Sequence, residues 1–125
     1  MVTLVDAGLS AVAQMINGSG TIDPFTYMAT GSGTTEESTS QTALIAENTL
    51  YGSARAQATC TYETLGISKW VHTFTFTNNL TVGELGIFNN SSAGIMLMRH
   101  KLAATKNYSN GESVEITLTN TSSRV

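Results

Sequence analysis

The stretch from Gly83 to Arg99 constrains the fold more than any other part of the chain. Two apolar runs, Leu85-Gly86-Ile87-Phe88 and Ile95-Met96-Leu97-Met98, flank six small or polar residues, which is the pattern of a β-hairpin. Pairing Phe88 with Ile95 sets Ile87 against Met96, Leu85 against Met98 and Glu84 against Arg99. On that register one face carries Leu85, Ile87, Met96 and Met98. The other carries Phe88, Ile95 and Leu97 near the turn, with the Glu84–Arg99 pair further down. Both faces are then partly apolar, whereas a sheet with one solvated face alternates cleanly. The hairpin is therefore expected to be covered on both sides or to lend its second face to a partner.

The rest of the chain supplies more strands and one helix. Residues 3 to 17 read as a helix, with Thr3 as its cap, Asp6 as an acidic capping-box partner and Gly18 as its left-handed stop. Leu9, Val12, Ala13, Met15 and Ile16 form one apolar stripe on it. A helix this short must be held by tertiary packing. Phe25 to Thr30 reads as a strand, and Gly31 to Ser40 as a flexible polar loop. Gln41 to Thr49 is a short helix or an extended segment. A weakly alternating strand runs from about Tyr51 to Glu63. Trp70 to Thr77 is the cleanest strand, with Trp70, His72, Phe74 and Phe76 alternating with Val71, Thr73, Thr75 and Thr77. His100 to Ser109 reads as a loop, Asn110-Gly111 as a turn, and Val114, Ile116 and Leu118 mark a closing strand. The expected fold is mainly β: an antiparallel β-sandwich of six to seven strands with one short N-terminal α-helix. Residues 1–125 form a single domain, with helix and loop in 1–20 and a frayed tail in 121–125.

Composition narrows the function. Charged residues make up only 12% of the chain, about half the usual share. Such a polar, nearly uncharged surface suits repeated contact with large neutral surfaces. The net charge of -3, with six Lys and Arg, argues against nucleic-acid binding. No apolar stretch is long enough to span a bilayer. No basic region precedes the N-terminal apolar residues, so no signal peptide is expected. The single Cys60 has no partner for an internal disulfide and reads as a small buried apolar residue.

No motif for chemistry stands out. Gly31-Ser32-Gly33 follows a strand, but Thr34-Thr35-Glu36-Glu37 comes next, and two carboxylates would repel a phosphate. Glu36 and Glu37 are adjacent on a loop, with no environment to split their pKa values for acid–base work. Neither His72 nor His100 has a Cys or His at metal-ligand spacing. His72 reads as a half-buried strand histidine, and His100 as a solvated one at a strand end. No nucleophile elbow is present. The expectation is a chain that is no enzyme, with no catalytic, cofactor or metal site.

The order of short motifs resembles a family of small virion structural proteins of tailed bacteriophages. Its members carry an aromatic strand running into a G-T-G-T-T loop, an E-A-G-[IL]-F-N hairpin with a G-T-M-L-A-R return, and an A-G-D-x-[IL]-x-[IVL] last strand. The matching residues are Tyr27 to Thr35, Glu84 to Asn89, Gly94 to Arg99 and Asn110 to Leu118. Ser32 and Leu85 depart from that pattern. The resemblance implies a virion location after assembly in the bacterial host cytoplasm. It also implies partners among the virion proteins, the major capsid protein or others, on the capsid surface or in the tail. A capsid decoration or cement protein is the leading expectation, acting as a homo-oligomer without nucleic acid or membrane. A tail or tail-fibre component, with the Gly31–Ser40 loop facing the host, is the alternative. A carbohydrate-binding sandwich using Trp70 and Tyr62 as stacking rings is a third. The assembly interface is expected at Val2, Leu4 and Val5 of the first helical turn, and at Phe88, Ile95 and Leu97 of the hairpin.

Overall fold

A computed structural model describes residues 2–124, with Val2 described in its backbone alone. Among these residues the chain forms eight strands and one helix: β1 (Val2–Leu4), α1 (Asp6–Asn17), β2 (Tyr27–Gly31), β3 (Ala56–Gln57), β4 (Thr59–Thr64), β5 (Ile67–Thr75), β6 (Leu80–Phe88), β7 (Met96–Tyr108) and β8 (Ser113–Thr121). All pairings are antiparallel. One sheet runs β1-β7-β6-β2-β3 and the other β4-β5-β8. The chain passes from the first sheet to the second across Ala58, whose N–H donates to Thr26 O at 2.8 Å.

The main core lies between the sheets. Met28, Leu85, Ile87 and Met98 face Trp70, Phe74 and Leu118 across it. Trp70 is buried and its indole N–H donates to Phe25 O at 2.6 Å, so its polar end is satisfied inside the core. A second cluster lies on the outer face of the larger sheet: Val5, Ala29, Leu44, Phe88 and Met96. Leu44 belongs to the irregular segment 32–55, which crosses that face as a strap. The strap holds no helix, and its one bridge pairs Glu47 with Gly31. The hairpin is thus covered on both sides by its own chain.

Several expectations need correction. Residues 2–4 form a strand, paired to β7 with Thr3 opposite Arg99, and the helix begins at Asp6. Val5 occupies the capping position; its side chain has no acceptor to cap with and is instead wholly buried in the second cluster. Gly18 does end the helix, at φ 68°, with its N–H on Gln14 O. The region 51–63 is two strands split by the sheet change at Ala58. His100 to Tyr108 continues β7 instead of looping, and Thr121 lies within β8. Beyond it, the Ser122 N–H donates to Gly66 O at 2.7 Å, so the tail is tied down through Ser122.

The hairpin exists, but its register is not the simple one. Phe88 pairs with Met96, Ile87 with Met98 and Gly86 with Arg99. The extra residue is Leu97, a β-bulge beside the turn, and a second irregularity falls between Val82 and Glu84. The bulge exchanges two side chains between faces. Leu97 turns into the main core and Met96 into the second cluster, the reverse of the unbulged pattern.

Candidate assembly site

Two places concentrate what is unusual in this molecule. One is an internal clamp and the other an exposed apolar patch.

The clamp is built on Glu84. It lies opposite Lys101, and Arg99 lies opposite Gly86, so acid and base meet diagonally on one face of the β6–β7 pair. Both are fully buried, and Arg99 Nε donates to Glu84 Oε1 at 2.9 Å. The carboxylate also accepts the backbone N–H groups of Gly33 and Ala46, each at 2.8 Å, and of Ile45 at 2.9 Å. Those three amides belong to the strap. A Cβ added at Gly31 or Gly33 would lie 2.5 or 2.4 Å from Glu84 Oε2, so both glycines make room for the carboxylate. The Gly31-Ser32-Gly33 motif is therefore a packing requirement and not a free surface loop. Burial pulls the Glu84 pKa up, but the donors of Ala46, Ile45, Arg99 and Gly33 outweigh it and hold the carboxyl below its ordinary range.

Glu37 makes a second, smaller tie. Its carboxylate accepts the Thr3 hydroxyl and the Lys101 N–H, the latter at 2.9 Å, and His100 Nδ1 lies 3.5 Å away. Burial raises its pKa, but Thr3, Lys101 and the charge of His100 lower it further. The loop expected to be flexible is pinned through these bonds. Arg55 fixes the far end of the strap. It grips Glu47 through two nitrogens at 2.8 and 3.1 Å, donates to the carbonyls of Asn90 and Ala93 at the hairpin tip, and stacks on Phe88 with its guanidinium 3.6 Å from the ring centroid.

The exposed patch surrounds α1. This helix docks by its smallest residues: Gly8 and Ala11 are buried, and a Cβ on Gly8 would come within 2.5 Å of Leu97 O. Such close approach turns the large apolar stripe outward. Ile16 is 82% exposed and Leu9 51%, with Val12 and Met15 partly covered. Beside the helix the sandwich is open at one end. The inner face of the smaller sheet continues past Trp70 through Cys60, Tyr62, Ser68 and Asn120. These residues, with Val12, Met15 and Ile16, line a groove of about 620 Å³. Tyr62 stands 74% exposed at its rim. Among the described residues Lys69 is the one charged residue in the lining, and Glu63 neutralises it at 2.6 Å. The groove is therefore apolar, with hydroxyl and amide edges and no unpaired charge.

Of the described residues expected at the interface, Leu97 alone lines the groove, from its buried place in the main core. Val5, Phe88 and Leu97 are buried in the two clusters, and Leu4 and Ile95 pack half-buried against the main core. The side chain of Val2 lies outside the described residues. Cys60 is exposed on the groove wall, contrary to the buried position expected; partial burial still pushes its thiol pKa up. Trp70 is too buried to stack on a sugar. The stripe on α1 was legible in its spacing. Its outward direction was not, because only the Gly8 contact with Leu97 decides which side of the helix docks. No cluster of His, Cys, Asp or Glu that could hold a metal occurs among the described residues, and no helix there is long and apolar enough to cross a membrane. Compared with known proteins, the chain matches no family model and no curated protein.

Proposed function

We propose that this chain is a structural protein of a tailed-bacteriophage virion, acting as a capsid decoration or cement protein that stabilises the head. The observation that carries the reading is a tightly tied sandwich that presents an uncharged apolar patch at α1. Such a patch, on a surface otherwise poor in charge, marks a site of protein association. The resemblance adds support, because its motifs meet in space: Gly31 and Gly33 of the loop motif, Glu84 of the hairpin and Arg99 of the return build one clamp. Modest contacts at each copy suffice on a shell, where many identical sites are offered side by side.

Mixing the purified protein with undecorated capsids tests the reading. Co-sedimentation with the shells, saturating at a fixed copy number, is the expected result; a protein left in the supernatant overturns it. Mass spectrometry of separated heads and tails distinguishes the alternative, since a tail component would be found only in the tail fraction.

A further inference from the structure

The surface around α1 places a protrusion next to a hollow. Ile16 and Tyr62 project, at 82% and 74% exposure, and both line the groove of about 620 Å³. A two-fold interface uses one patch twice, so a patch carrying both a knob and a hole can serve as its own complement. We propose that this patch is the contact between two copies of the chain, with α1 of each copy lying over the groove of the other.

Charge and area both favour a second copy. Among the described residues lining the groove, Lys69 alone is charged and Glu63 holds it, so the groove itself offers a charged partner little to pair with. The patch itself is the apolar surface that fits, since the groove lining carries no charge that Glu63 does not offset. Leu65, 74% exposed, extends the surface through a neighbouring hollow that shares Ser122 with the groove. Taking roughly 60–120 Å² for a buried aliphatic side chain and 150–250 Å² for an aromatic one, the exposed parts of Leu9, Val12, Met15, Ile16, Tyr62 and Leu65 supply on the order of 400 Å² of apolar surface. With the usual polar share, that makes roughly 650 Å² a side, inside the range of a specific dimer and towards its weaker end. The inference concerns the same α1 patch as the proposed function and gives it one occupant, a second copy of the chain; the two fail separately, because capsid co-sedimentation can succeed or fail whether or not the free protein dimerises.

The chain carries its own probe, since Cys60 lies on the groove wall with its thiol free. Sedimentation of the purified protein from micromolar to millimolar concentration should show a monomer–dimer equilibrium. Over the same range the rate of Cys60 alkylation by a maleimide should fall as dimer forms. Ile16→Asp should raise the dimer dissociation constant about tenfold or more and restore the monomer's Cys60 rate. Leu50→Asp, at a residue 61% exposed and outside the groove, should change neither. A monomer at every concentration overturns the proposal. So does a dimer indifferent to Ile16→Asp, or a Cys60 rate that ignores concentration. Protection of Cys60 only when capsids are added would assign the patch to the shell, which also overturns it.

Discussion

Glu84 has given up its water for four donors, one charged and three from the backbone. Removing its charge leaves Arg99 buried and unpaired, and one guanidinium nitrogen, Nη2, already lacks a partner among the described residues. Glu84→Gln should therefore destabilise the fold by about 3–5 kcal/mol in chemical denaturation. The glycines facing it are equally constrained. Gly33→Ala would push a methyl group into the carboxylate and should cost about 1–3 kcal/mol. The pH dependence follows from the depressed pKa values of Glu84 and Glu37. A carboxylate more acidic in the folded state stabilises fully above its unfolded value, and the gain is lost as pH falls through the folded value. Unfolding free energy should then drop on acidification below the ordinary glutamate value of 4.5. The drop should be shallower in Glu84→Gln, which has one such group fewer. An equal slope in both proteins would count against the clamp.

At the scale of elements, α1 shows how packing overrides propensity. Gly→Ala inside a helix ordinarily gains about 1 kcal/mol. At Gly8 the same change drives a methyl group into the backbone of Leu97, so Gly8→Ala should instead destabilise the protein and lower its melting temperature. The sheets were readable in the sequence to the extent that period-two alternation survived. Trp70, Phe74 and Leu118 point inward as their spacing implies. The sandwich class and the Gly18 stop were legible for the same reason: each rests on local pattern or backbone chemistry. The register of the hairpin was not, because a bulge at Leu97 carries no composition signal and one inserted residue exchanges the faces of its neighbours. The expected helix takes in Thr3 and Leu4 because nothing local excludes either state there, and only pairing with β7 decides between them. The clamp was hidden for a deeper reason. Its partners lie as many as 51 positions apart in the chain, and no window of sequence contains both.

The whole molecule separates what holds it together from what it shows. Both apolar clusters and the buried ion pair are covered by the chain itself, while α1 and Tyr62 carry apolar surface that the fold itself does not use. Ile16→Asp should accordingly leave the unfolding free energy of the monomer within about 0.5 kcal/mol of the parent, although it strikes at the proposed contact. The strap has a further consequence, and it concerns time. Glu84 collects Gly33, Ile45 and Ala46 from a strap that must come to rest on the outer face of the sheet. A clamp that closes after the transition state for folding has a definite kinetic signature. Disabling it with Glu84→Gln should leave the refolding rate nearly unchanged and accelerate unfolding, so that almost the whole stability loss appears in one arm of the chevron. A carboxylate placed in that way acts as a latch on the lifetime of the folded chain.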